Sequence, residues 1–395
     1  MKIAILTSGV LPVPAVQGGA VENLVDYYLE YNNKHHLHDI TIYSVWHPGV
    51  KQHPAVSSDV NHYVYINMTS LWSKIKKKLY LYKHTDEYYD YHTEYFFEQA
   101  YNKLKKTKFD CIILENRPGY AYKLGERGLH NIVLHLHNDH LNHNTNHAHQ
   151  IFNSINRIIT VSNYIRNRVS TIENNKKIQT IHNGIDLSLF SYNSCNPISG
   201  RIKLGLKKND FVMVFSGRIN KDKGVSEIID AMLNLKDYPN IKLLIIGSTF
   251  FGSNNNEDEY VHSLKEKAKK VKDRIIFTGF VPYNTMPDYL QLADIAIIPS
   301  VWDDPFPTTV LEAQAMGLPI ITTRRGGIPE EVTEENALIL TTDDYFVDNL
   351  TESIKTLYSD PERRIKMSQA SLKYSKCYNK QRYAEDFFRA ISSIE

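Results

Sequence analysis

Short apolar, β-branched runs recur along the chain, each separated from the next by a longer stretch of helical or loop-like composition. In the first half these runs are 2–7, 39–45, 111–115, 131–137, 157–161 and 177–182. Strands alternating with long connections predict a parallel sheet. Between the first two runs, Val21, Leu24, Val25, Tyr28 and Leu29 fall at i, i+3, i+4, i+7 and i+8, so 20–31 is predicted to be an amphipathic helix. The order repeats later, with strands predicted at 211–216, 241–246, 274–278, 295–299, 319–323 and 337–340 and helices at 225–235 and 259–271. The expected fold class is α/β, with two Rossmann-like, doubly wound parallel-sheet domains. Polar residues around Pro197, Gly200 and Gly205 make 191–209 the predicted linker. A last amphipathic helix is predicted at 381–394 through Tyr383, Phe387, Phe388 and Ile391.

Length supports the division, because 395 residues exceed the roughly 250–300 at which single cores stop growing. Charge adds no partner: 46 Lys and Arg against 44 Asp and Glu offer no global case for nucleic acid. Cys111, Cys195 and Cys377 show no C-x-x-C spacing and are expected to be free thiols in a reducing cytosol. Met1 leads directly into the first apolar run, with no targeting signal, and no run of about 18 apolar residues would cross a bilayer. The expected location is the cytoplasm, in solution or peripheral at the inner face of the membrane. Six of the 17 histidines lie between His135 and His149. Their spacing drifts and no Cys or paired carboxylate converges on them, so a solvated His/Asn-rich loop is preferred over a metal site.

Three stretches carry candidate chemistry. Asp304 and Glu312 stand eight positions apart where the strand 295–299 gives way to a helix. A carboxylate accepts from two vicinal hydroxyls at once, which suits sugars and riboses, and the carboxyl end of a strand is where open α/β sheets bind ligands. A competing reading is structural: Thr309-Val310-Leu311-Glu312 fits the capping box, in which Glu312 satisfies helix amides. Second, Arg218 and Lys223 leave the strand 211–216 within one loop. Both can reach one anion: Arg218 suits a bidentate phosphate contact and Lys223 a point charge. Third, the amides of Thr308, Thr309 and Val310 open a helix whose positive end suits a phosphate. Gly18 and Gly19 join the first strand to its helix and permit close backbone approach to a ligand, or serve only as a tight turn. His182-Asn183-Gly184-Ile185-Asp186 reads as a turn with positive φ at Asn-Gly. No G-x-G-x-x-G follows a strand and no G-x4-G-K-S/T occurs, which argues against a dinucleotide oxidoreductase and a P-loop enzyme.

The segment from Asp304 to Glu312 resembles the E-x7-E signature of retaining GT-B glycosyltransferases, in particular glycosyltransferase family four, with Asp304 one methylene shorter than the usual Glu. Gly217-Arg218 through Lys223-Gly224 matches the same family's G-R-x4-K-G pattern. The resemblance implies an acceptor-side domain over 1–190, a nucleotide-sugar domain over 191–377, a final helix within 378–395 rejoining the first domain, and an interdomain cleft. It places Arg218 and Lys223 on the diphosphate, Thr308, Thr309 and Val310 on the β-phosphate, and Glu312 on the ribose. Asp304 falls to the donor sugar, main-chain groups at Val281 to the base, Gly18 and Gly19 near the donor phosphates or acceptor, and His137 to the reaction centre. His135 is the alternative if the strand register slips by two.

The implied reaction is retaining transfer of a hexose or N-acetylhexosamine from a nucleoside-diphosphate sugar, UDP ahead of GDP, to a glycan or polyprenyl-diphosphate-linked acceptor. Asp303-Asp304 is not the D-x-D of GT-A enzymes, and with cations and a helix end neutralising the diphosphate, no metal or other cofactor is expected. Lys74, Lys76, Lys77, Lys78 and Lys83, interleaved with aromatic and aliphatic residues, suit contact with an anionic membrane or a solvated helix face. Two other readings are a non-hydrolysing nucleotide-sugar epimerase of the same architecture and a catalytically silent sugar-nucleotide-binding subunit.

Overall fold

The computed structural model describes residues 1–68, 70, 72–73, 75, 91–191, 197–248 and 259–392. The lysine-rich stretch 74–83, apart from Ile75, lies outside the described residues. Two compact units form: Met1–His182 with Gln381–Glu395, and Asn183–Lys380.

Among the described residues the first unit is built on seven parallel strands, β1 (Lys2–Leu6), β2 (Asp39–Val45), β3 (Asn61–Ile66), β4 (Cys111–Glu115), β5 (Ile132–Leu136), β6 (Arg157–Thr160) and β7 (Ile178–Thr180), in the order β3-β2-β1-β4-β5-β6-β7. β4 and β5 are buried along their whole length, as a strand covered on both faces must be. β3 was not expected. It is an edge strand carrying Asn61 and His62 with mostly half-buried positions, so it lacks the apolar run that marks the others.

The first helix runs Ala20–His35, four residues past its last predicted turn. Asn32 explains the extension: its fully buried amide donates to Asn61 Oδ1 at 2.7 Å and to His38 O at 3.0 Å, so a polar residue serves as a core position. The final helix, Lys380–Ser392, contributes Tyr383, Phe387 and Ile391 to the first unit's core, and Phe387 stacks on Tyr28 with ring centroids 4.2 Å apart.

Among its described residues the second unit holds six parallel strands, β8 (Phe211–Ser216), β9 (Ile241–Ile246), β10 (Ile275–Gly279), β11 (Ile295–Ile298), β12 (Ile320–Thr323) and β13 (Ala337–Leu340), ordered β10-β9-β8-β11-β12-β13. The helix Val225–Asn234 packs Val225, Ile228, Ile229 and Met232 into their core. The predicted helix 259–271 is instead Glu259–Lys267 followed by a 3-10 turn, Ala268–Arg274, interrupted at Val271.

The stretch 191–209 is not a plain linker, since it contains the helix Pro197–Lys203 within the second unit. Arg201 ties that helix down, donating to Leu292 O and pairing with Asp294, both at 2.9 Å. Gly200, which reads as a linker residue, sits there because a Cβ would approach Leu292 to 2.7 Å. Asn183-Gly184 does not adopt positive φ. Asn183 instead donates its side-chain amide to Phe306 O at 2.9 Å. Among the described residues Cys111 is buried and Cys377 exposed, both unpaired, while Cys195 lies outside them. Among the described residues, no helix is long and apolar enough to cross a membrane.

Candidate active site

In the second unit the chain winds outward from β8 through β9 to β10, then crosses back to start β11 on the other side of β8. The loops after β8 and β11 therefore diverge at the topological switch point, where such sheets bind ligands. They touch: a Cβ on Gly224 would lie 2.0 Å from Pro299 O, and Val301 N–H donates to Asp222 O at 2.9 Å. Gly224 takes φ +71, so only glycine meets both demands. This contact brings Lys223 onto Asp304, with which it forms an ion pair. Ser300 Oγ approaches the same carboxylate oxygen at 3.5 Å. Asp304 is buried and Lys223 half-buried, while Arg218 lies exposed on the same loop as Lys223.

A third loop closes on this pair. Gly327 N–H donates to Asp304 O at 2.7 Å, and a Cβ on Gly326 would lie 2.1 Å from that oxygen. The loop also delivers Glu331, which sequence reasoning missed. Glu331 is 2% exposed, and neither carboxyl oxygen has a partner among the described residues. Burial first, then the negative charge of Asp304, pushes its pKa well above the ordinary carboxylate range. No sequence signal marked it, because the adjacent Glu330 offers the same side chain in the same turn.

The helix after β11 runs Thr308–Ala315 with Pro307 at its N-cap and no side-chain cap. Thr309 is thus its second residue, and the capping-box reading fails. Glu312 is instead 4% exposed and accepts a hydrogen bond from the Thr308 side chain; burial raises its pKa to about 7. The Val310 amide donates to Pro307 O at 3.0 Å, so the first-turn amides left to face a ligand are those of Thr308 and Thr309. Val281 is buried just past the end of β10, the edge strand two positions from β8.

In the first unit, β1 and β4 flank the equivalent switch point. Gly18 and Gly19 follow β1 with φ +78 and +110, and a Cβ on Gly19 would lie 2.2 Å from Glu22 Oε2. The Gly-Gly turn therefore seats a carboxyl, that of Glu22, which burial raises to about 7. His137 follows β5, and its ring meets Glu115 at the end of β4: His137 Nε2 lies 2.8 Å from Glu115 Oε2. His135 Nδ1 is 3.1 Å from the same oxygen. The structure thus brings both histidine candidates to one carboxylate, and neither belongs to a solvated loop. The remaining four of the cluster, His140, His143, His147 and His149, are exposed as expected. Glu115 was missed, although an acid ending the otherwise apolar run Cys-Ile-Ile-Leu is itself a signal.

Residues 199–374 match the family model for glycosyl transferases group 1. Spore coat protein SA of Bacillus subtilis (strain 168) is 28% identical over 401 residues, covering 98% of this chain and 98% of that protein. The putative glycosyltransferase YtcC of the same organism is 28% identical, covering 95% of this chain and 87% of its own length. Among solved structures, Anabaena Alr3699/HepE in complex with UDP-glucose superposes with a TM-score of 0.75 at 19% identity, covering 100% of both chains. A likeness at that identity bears on the fold.

Proposed function

From the premise that this chain is a GT-B glycosyltransferase of the family-four type, we propose that its second unit binds a nucleoside-diphosphate sugar and drives retaining, metal-independent transfer of the sugar to a glycan or lipid-linked acceptor. The observation that carries this reading is the convergence of Lys223, Asp304 and the first turn of Thr308–Ala315 on adjoining strand ends, with Arg218 on the loop that bears Lys223. As the glycosidic bond breaks, negative charge grows on the leaving diphosphate. Arg218, Lys223 and the amides of Thr308 and Thr309 oppose that charge more strongly in the transition state than in the ground state. No dedicated nucleophile is invoked, since the leaving phosphate assists attack from its own face.

Asp304 is assigned to a donor-sugar hydroxyl. Its pairing with Lys223 holds the shorter side chain in place and couples sugar recognition to the diphosphate. Glu312 is assigned to the ribose, where its ionised form accepts two vicinal hydroxyls in a dry setting. Main-chain groups at Val281 are assigned to the base. In the first unit, Gly18 and Gly19 are assigned near the donor phosphates or the acceptor, and His137 to the reaction centre. UDP is favoured as the carrier because HepE, of the same fold, was solved with UDP and with UDP-glucose.

A thermal-shift series against UDP, GDP, ADP and their sugars tests this. A ligand at 100 times its dissociation constant adds about 2.7 kcal/mol, and the expected result is stabilisation by one nucleoside diphosphate, with slow hydrolysis of its sugar when no acceptor is present. Binding without hydrolysis or transfer would indicate a silent binding subunit, and release of an altered nucleotide sugar an epimerase.

A further inference from the structure

Glu115 is fully buried and is the hub of a polar cluster inside the first unit. Tyr28 O–H donates to its Oε1 at 2.9 Å, while Oε2 faces His137 Nε2 at 2.8 Å and His135 Nδ1 at 3.1 Å. The neighbouring backbone is fixed as well. Asn116, at φ +59, accepts from His137 N–H at 3.1 Å and donates its own N–H to His135 O at 2.8 Å. The far nitrogens, His137 Nδ1 and His135 Nε2, are buried and meet no partner among the described residues.

We infer that Glu115 is a positioning residue that fixes which nitrogen of His137 carries the proton, leaving Nδ1 as a lone-pair acceptor reserved for a hydroxyl of the sugar or acceptor. This rests on the function proposed above. An ionised carboxylate only accepts, so the ring nitrogen facing it must bear the hydrogen. With its proton on Nε2, a neutral His137 keeps one lone pair, on the buried and unpartnered Nδ1. Such a nitrogen accepts from an O–H and repels a phosphate oxygen, so His137 serves hydroxyl recognition and not the diphosphate. Glu115, His135 and His137 also form a two-histidine, one-carboxylate set with ligand atoms within 4.8 Å of one another. The test must separate the two.

Nitrogen-15 NMR of the full chain labelled at histidine, with His137 assigned by its loss in His137→Gln, reads the tautomer directly. The expected signature at pH 7.5 is a protonated Nε2 and an unprotonated Nδ1. Glu115→Gln removes the charge and one of the two acceptor oxygens, which weakens the hold on the Nε2 proton. Its expected effect is a loss of donor turnover of about 10- to 100-fold, the range found when a metal-bound histidine loses its orienting carboxylate, with UDP affinity changed less than about 2-fold. Tyr28→Phe, which touches neither ring, should keep the wild-type tautomer. The inference is overturned by a proton on Nδ1 of His137, by full turnover in folded Glu115→Gln, or by stoichiometric transition metal in the wild-type protein. The wild-type spectrum decides even if Glu115→Gln fails to fold. Absence of nucleotide-sugar turnover in the wild type would sink the proposed function and leave the tautomer result standing.

Discussion

Glu312→Gln should stabilise the protein and weaken its grip on a nucleotide, with opposite signs traceable to one buried carboxyl. Burial lifts the Glu312 pKa from 4.5 to about 7. Between those values the native state binds more protons than the unfolded state, so stability falls as pH rises. At about 1.36 kcal/mol per pH unit, the loss reaches about 3 kcal/mol above pH 7. Glutamine escapes this loss and can still accept from the Thr308 hydroxyl. Its amide N–H2 lacks a second acceptor, a cost of about 1 kcal/mol, which leaves a net gain of about 2 kcal/mol at pH 8. For a unit of about 200 residues that is a rise in melting temperature of about 4–8 °C. At pH 3.5 the gain should vanish and leave only the amide's cost of about 1 kcal/mol, because Glu312 is then largely protonated in both states. Calorimetric melts at the two pH values measure the difference, and titration with UDP should show affinity falling about 10-fold as a charge-assisted bond becomes a neutral one. A melting difference independent of pH, or one of opposite sign at pH 8, would refute the assigned burial. Unchanged UDP affinity would remove Glu312 from the ribose.

Lys223→Met and Asp304→Asn should each destabilise the second unit, Lys223→Met by about 3 kcal/mol because it strands a buried carboxylate; the double variant should cost less than the sum, and additivity within about 0.5 kcal/mol in urea unfolding would deny the pair. Arg218→Ala, at an exposed position, should leave stability within about 0.5 kcal/mol and lower donor turnover at least 10-fold, so equal losses of fold and rate would count against its role. Phe387→Ala removes the ring stacked on Tyr28 and should cost about 3–5 kcal/mol, read as faster amide exchange in Met1–His182; faster exchange confined to Asn183–Lys380 would contradict the packing.

The strands buried on both faces were legible because their apolar runs need no context, and twelve of the thirteen among the described residues fall where the pattern puts them. β3 escaped because an edge strand with Asn61 and His62 is stabilised by pairing to β2, not by its own composition. Pro197, Gly200 and Gly205 suggested a linker because the contact that requires Gly200, with Leu292, lies 92 positions away. The same holds at the site. Arg218, Lys223, Asp304 and Glu312 were visible as residue types at strand ends, but the Lys223–Asp304 pair depends on β8 and β11 being neighbours. The capping box misled because Thr309-Val310-Leu311-Glu312 has the right letters one residue out of phase with the helix start at Thr308. Glu115 is marked by the apolar run it ends, whereas Glu331 is set apart from the adjacent Glu330 only by its burial.

Amide hydrogen exchange with and without UDP tests most directly whether the strand-end loops of the second unit hold a nucleoside diphosphate. Protection should concentrate in 216–224 and 303–312. Protection elsewhere, or none under saturating UDP, GDP or ADP, would contradict the account.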